Sequence, residues 1–180
     1  MSAGDAIAAG FADNFIPSEN IEAFISAIAA SSVAEAVAQF AEPAPVSELS
    51  AQQGWIDEAY AASTVAEIVD NLTSSGNPEA EKAAEQILGK SPIALSVTLR
   101  SLREAADTAS LEEVLNVEFR VSTASLGSHD LVEGIRAQVV DKDRDPKWSP
   151  ATLADVTAES VDAYFAPLGE NELGLTTAAG

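Results

Sequence analysis

The sequence has no cysteine among its 180 residues and a single histidine, His129. Without cysteine there is no disulfide, no thiolate nucleophile and no thiolate metal ligand. One histidine falls short of the sets that zinc sites recruit, so no metal ligand is assigned, and a two-histidine acid–base pair is impossible. The lack of thiol chemistry is compatible with a reducing compartment, and a cytoplasmic location is expected.

Positive charge is also scarce. Nine Lys and Arg stand against 29 Asp and Glu, a net charge of −20. None of the nine falls in residues 1–81, which hold 13 acids. A surface of this sign repels phosphate backbones and anionic headgroups, so neither nucleic acid nor membrane is expected as a partner. No apolar run approaches the roughly 20 residues that cross a bilayer. The opening MSAGDAIAAGFADNF lacks the basic start of a secretory signal. The loops that cradle phosphates, GxGxxG and GxxxxGKS/T, are absent, as is GxSxG.

What the chain does have is alanine and helical grammar. Apolar residues make up 47% of it; much of that is alanine, which favours helix and fills little volume. Residues 3–10 read as a short helix closed by Gly10, and FADNFI as the best strand candidate before Pro17 breaks it. Ser18 opens a helix whose Ile21, Phe24, Ile25 and Ile28 share one face, and a short helix from Val33 to Phe40 follows. AEPAPVSELS, with two prolines in three residues, reads as a joint over 43–50. Trp55 to Tyr60 and a helix capped by Thr64 and Glu67 come next, with Val65, Ile68, Val69 and Leu72 on its buried face.

Asn77-Pro78 and Ser91-Pro92 each start a helix, with a cap followed by proline at the first helical position. Ser110 and Glu113 open a helix to about Leu126; its apolar residues spread around most of the circumference, which predicts a central, buried position. Ser128 caps a helix with Leu131, Ile135 and Val139 on one face. The chain then turns through DKDRDP, a last helix covers roughly 158–168, and the tail GENELGLTTAAG is expected to fray. The fold class is mainly α, with at most one or two short strands.

Chemistry-bearing residues gather in one stretch. Ser91–Pro150 together with Lys90 holds eight of the nine bases, the only histidine and one of two tryptophans. Asp141, Asp143 and Asp145 alternate as in a calcium-binding loop, but Pro146 stands where that loop needs glycine and Thr152 where it needs glutamate. Lys142, Arg144, Lys147 and Trp148 combine mobile positive charge with a flat aromatic surface, a set that suits a phosphate beside an adenine. The competing reading is a solvent-facing turn whose charges pair with one another while Trp148 anchors it. His129 beside Asp130 is a candidate base without a nucleophile. Glu118 and Arg120 read as structural ion-pairing groups.

The segments SPIALSVTLRSLREA, LEEVLNVEFRVS, GSHDLVEGIRAQVVDKDRDPKWSP and ADVTAESVDAYF resemble the C-terminal part of the 3-hydroxyisobutyryl-CoA hydrolases. These belong to the crotonase (enoyl-CoA hydratase/isomerase) superfamily. The resemblance continues upstream through SAGDAIAAGFADNFIPSENIEAFISAI, similar to the segment that closes the crotonase core. HDLVEGIRAQVVDKDRDPKW carries the hydrolase branch; EG before a short basic turn is shared more loosely with the hydratases.

The resemblance implies a multi-helix C-terminal region of a crotonase-like fold. Residues 1–42 are then the trailing segment of the core, 43–50 a Pro-containing linker and 51–180 a C-terminal helical domain. It implies thioester hydrolysis of a branched 3-hydroxyacyl-CoA in valine degradation. Two backbone N–H groups hold the thioester oxygen, and acidic side chains manage water and protons. Those groups precede Met1 in the family pattern, so no catalytic residue is assigned here and the chain alone is expected to be inactive. No cofactor is implied, CoA thioester being the substrate. The expected partners are the N-terminal crotonase core and, in its absence, further copies of the chain. Lys142, Arg144 and Trp148 are the candidate contacts to the CoA nucleotide. The alternatives are part of an enoyl-CoA hydratase/isomerase, and a stand-alone, non-catalytic helical interaction module.

Overall fold

The computed structural model describes residues 1–176. Ten α-helices account for most of them, and the β structure among the described residues is one isolated bridge. The chain forms two compact units, Met1–Asp57 and Glu58–Gly180.

In the first unit α1 (Ala3–Ala8) starts at Ser2, whose hydroxyl accepts from the Asp5 N–H while the Asp5 carboxylate takes the Ser2 N–H at 2.8 Å. The other Asp5 oxygen accepts from the Ser47 hydroxyl at 2.8 Å and the Leu49 N–H at 3.1 Å. One carboxylate thus caps both α1 and α4 (Glu48–Tyr60). Those three donors hold the Asp5 pKa far below the usual carboxylate range, the Ser2 N–H contributing most and the Leu49 N–H next. The approach is close enough that a Cβ on Gly4 would lie 2.3 Å from the Pro45 carbonyl oxygen. α2 (Ile21–Ala30) and α3 (Val33–Phe40) pack on each other, with Phe24 and Phe40 edge to face at 6.2 Å.

Sequence and structure part company at three places in this unit. The FADNFI strand reduces to the bridge between Phe15 and Glu42, because no neighbouring strand continues the ladder. Ser18 begins a 3-10 turn, Ser18–Asn20, ahead of α2 instead of capping it, and on the face expected to be buried Ile21 is 40% and Ile25 59% exposed. The joint expected at 43–50 is helical from Glu48, since Asp5 and Ser47 supply acceptors for the Leu49 and Ser50 N–H groups.

The second unit is built on α5 (Val65–Ser74), whose Val65, Ile68, Val69 and Leu72 are buried as the spacing predicts. Thr64 and Glu67 form the reciprocal cap at its start. α6 (Pro78–Leu88) and α7 (Pro92–Asp107) pack against α5, each with a side-chain cap and a proline at its first position. Ile93 and Val97 of α7 are in the core, whereas Leu102 is 66% exposed. α8 (Leu111–Leu126) lies against α7 and α10 (Ala158–Phe165). Contrary to the reading of α8 as a central helix, none of its residues is fully buried, and Leu111, Leu115 and Leu126 are open to solvent.

α9 (His129–Ile135) runs into one π turn, Arg136–Val140, closed by the Asp141 N–H on the Arg136 carbonyl at 2.8 Å. The tail does not fray as expected in its described part. Glu172 pairs with Arg120 at 2.9 Å, and Leu175 exchanges two hydrogen bonds with the Asn116 side chain. Residues 177–180 of the expected frayed tail lie outside the described residues.

Candidate functional site

The turn that follows the π segment packs back on α9, with Trp148 over Gly134 and the Ser149 N–H on Asp130. Asp130, at the start of α9, is only 6% exposed. Its carboxylate accepts from the Ser91 hydroxyl at 2.5 Å, from the Ser149 N–H at 2.8 Å, and pairs with His129 Nδ1 at 2.9 Å. The start of α7, the start of α9 and the chain beyond Trp148 are tied together there. Ser91 and His129 both bond to Asp130, so the carboxylate stands between the hydroxyl and the imidazole. A serine nucleophile needs the imidazole in the middle, so the trio is a structural clasp.

Arg136 organises the turn itself. Its guanidinium donates through Nε and Nη2 to the two oxygens of Glu133, both at 2.8 Å. Nη1 donates to Asp141 at 2.7 Å and Asp143 at 2.6 Å, and Nη2 also reaches the Asp145 carbonyl at 3.2 Å. Glu133 accepts in addition from the Lys147 N–H at 2.7 Å. Arg136, then the Lys147 N–H, pull the Glu133 carboxyl down to about 2; Arg136 first and the Asp145 N–H second lower Asp143 as well. The Arg136 pKa is raised beyond its already high ordinary value, chiefly by Glu133.

Lys142 and Arg144 both adopt left-handed backbone, φ 57° and 56°, which side-chain-bearing residues avoid. The Arg144 N–H bonds to the Ala137 carbonyl at 3.1 Å, and both side chains are exposed. Trp148 is half-buried: its indole N–H reaches the Gly89 carbonyl at 3.4 Å, and a Cβ on Gly134 would touch the ring at 3.4 Å. The indole thus sits across the small residue of α9 and pins the turn to the end of α6. Asp141 and Asp143, the first two carboxylates of the calcium-like alternation, are both bound to Arg136. Lys147 pairs with Asp145 at 2.5 Å. Glu118 is exposed on α8, apart from this turn, and Arg120 is engaged by Glu172.

The sequence singles out Lys142, Arg144 and Trp148 as candidates and reads Ser91 only as a helix cap; it does not single out Arg136 or Glu133. The one available signal was the i, i+3 spacing of Glu133 and Arg136 on a helix.

A cleft of about 490 Å³ opens elsewhere in the second unit, lined by the start of α5, α7 and the start of α10. Two arginines reach it. Arg100 is paired with Glu104 and Asp162 and lies 4.0 Å over the Phe165 ring, while Arg103 donates to the carbonyls of Ala62 and Ser63. With both cations committed to the protein, the cleft offers an apolar floor and no free charge.

The profile of the family described as Enoyl-CoA hydratase/isomerase matches residues 1–165, and the chain belongs to that family. Among curated proteins it is similar to 3-hydroxyisobutyryl-CoA hydrolase, mitochondrial, of Danio rerio. That protein is 37% identical over 177 residues, covering 92% of this chain and 46% of the relative. The Gallus gallus protein of the same name is 46% identical over 120 residues, 67% of this chain and 31% of the relative. Among solved structures, a carnitinyl-CoA dehydratase from Mycobacterium thermoresistibile is 53% identical. It superposes with a TM-score of 0.88 over 94% of this chain and 48% of that one. An enoyl-CoA hydratase from Rhodobacter sphaeroides 2.4.1, 36% identical, has a TM-score of 0.84 over 97% and 50%. The chain spans half or less of the length of each of these relatives. Their names differ in reaction and agree on a CoA thioester.

Proposed function

We propose that these residues are the helical C-terminal part of a 3-hydroxyisobutyryl-CoA hydrolase-like enzyme of valine degradation. In this reading they are inactive alone and present Lys142, Arg144 and Trp148 to the nucleotide of the CoA thioester. The likeness to the Danio rerio hydrolase along 177 residues carries the hydrolase assignment. The turn supports the nucleotide role: its two exposed cations are free of carboxylate partners among the described residues, and the same segment carries the half-buried indole of Trp148. Catalytic carboxylates and oxyanion donors are assigned to the N-terminal crotonase core, the first expected partner. A second reading, hydration or dehydration of an acyl-CoA, is favoured by the 53% identity to the carnitinyl-CoA dehydratase. The turn serves either reaction, because the group assigned to it, the nucleotide, is the part of the substrate that all CoA thioesters share.

The test uses the purified chain. With 3-hydroxyisobutyryl-CoA, thiol release should stay at the level of the buffer control, and crotonyl-CoA should not be hydrated. Turnover of either would overturn the assignment of chemistry to the core. 3′-Phosphoadenosine 5′-diphosphate, the nucleotide of CoA, should bind, with affinity lost in the double variant Lys142→Ala/Arg144→Ala. An equal affinity in that variant would remove these residues from the site.

A further inference from the structure

We propose that Arg136 is the positioning residue of the nucleotide site: it holds Lys142 and Arg144 in the left-handed backbone that offers both cations to the phosphates. The proposal rests on the nucleotide reading above and names the group that makes that site possible. Residues 141–147 contain three Asp and three bases in alternation. Left to themselves, such neighbours pair with one another and present little to an anion.

Arg136 prevents this from one π turn away. Its contacts fall on Asp141, Asp143 and the Asp145 carbonyl, the odd positions, and skip the cations at 142 and 144. The remaining carboxylate of the turn, on Asp145, is taken by Lys147. Nε gives one hydrogen bond and each Nη two, so all five guanidinium donors are used inside the protein. Arg136 therefore has no donor left for a ligand, and whatever it does for binding it does through the turn. A lysine cannot take its place, because an ammonium offers three donors from one point and no planar fork. The π turn supports the same role: the extra residue closes on the Arg136 carbonyl, so the arginine is fixed by its main chain as well as its side chain.

The experiment titrates the chain with 3′-phosphoadenosine 5′-diphosphate and follows the backbone shifts of residues 142 and 144 by NMR. Arg136→Gln should weaken binding on the order of tenfold, as loss of charge-assisted hydrogen bonds does. It should also move the Cα shifts of Lys142 and Arg144 away from left-handed values while the α5–α7 signals stay in place. Arg136→Lys should fail to restore either property. Added to Lys142→Ala/Arg144→Ala, Arg136→Gln should cost nothing further, since a positioning group has nothing left to position. Asp143→Asn, which removes one contact of the fork, should give the same pattern more weakly and serves if Arg136→Gln does not fold. Unchanged affinity in Arg136→Gln, or a loss that adds fully to that of the double variant, overturns the proposal. If the wild-type chain does not bind the nucleotide, the nucleotide reading falls and the ligand role of Arg136 with it. Shifts at 142 and 144 that ignore Arg136 overturn the positioning role alone.

Discussion

Glu133 shows how a single side chain converts the local geometry into a titration. Both its oxygens are held by Arg136, and the Lys147 N–H adds a third bond, so its pKa falls from 4.5 to about 2. A carboxyl whose folded pKa lies below its unfolded value stabilises the fold fully above the unfolded value. That contribution is lost as pH falls through the folded one, so for Glu133 the window runs from 4.5 down to about 2. Asp143 and Glu172 shift in the same direction, Arg136 and Arg120 being the leading causes. Carboxyl carbon NMR should place the Glu133 midpoint near 2, and Arg136→Gln should return it towards the ordinary range. A wild-type midpoint at 4.5 would mean that the fork is not formed in solution. At this scale the sequence was legible only in part. Lys142, Arg144 and Trp148 stood out because charge and an aromatic ring are visible as letters. Arg136 did not, because its role in the turn lies in bonds to residues 5 to 9 positions away.

Among the helices, α5 follows directly from its sequence, because everything that defines it is local. Thr64 and Glu67 stand three apart at its start, and four apolar residues follow at helical spacing. The cap and the core contribute unequally. Thr64→Ala should destabilise the second unit by about 1 kcal/mol, the usual worth of a side-chain cap. Leu72 is completely buried, and Leu72→Ala should cost roughly 2–5 kcal/mol. Urea unfolding at neutral pH measures both; a Thr64→Ala loss as large as that of Leu72→Ala would shift the weight from packing to capping. α8 shows the limit of the same method. Apolar residues around its circumference looked like burial on all sides, but periodicity reports which faces are apolar and not what covers them. α4 failed in the opposite sense: its early start depends on the Asp5 carboxylate, 44 positions upstream of Leu49, which no local pattern can show.

For the molecule as a whole, the mainly α class followed from alanine content and repeated caps, while the balance of buried and exposed apolar surface did not. Among the described residues, five of the eleven buried apolar residues are alanines and twenty large apolar residues are exposed, among them Ile25 on α2 and Val132 and Ile135 on α9. Apolar surface of this extent on a chain of this size is what a partner covers. In the proposed function that partner is the crotonase core; for the chain alone, another copy is the proposed one. Two forces then compete. Burying these residues favours association, and the net charge of −20 opposes it. The repulsion acts through solvent and is screened within about 10 Å at 0.1 M salt and about 3 Å at 1 M, whereas apolar burial does not weaken with salt. Self-association should therefore be weak at low ionic strength and rise as salt is added. Sedimentation velocity at high protein concentration across that range is the measurement. A chain that stays monomeric throughout would mean that its apolar faces are content in water and need neither the core nor a copy.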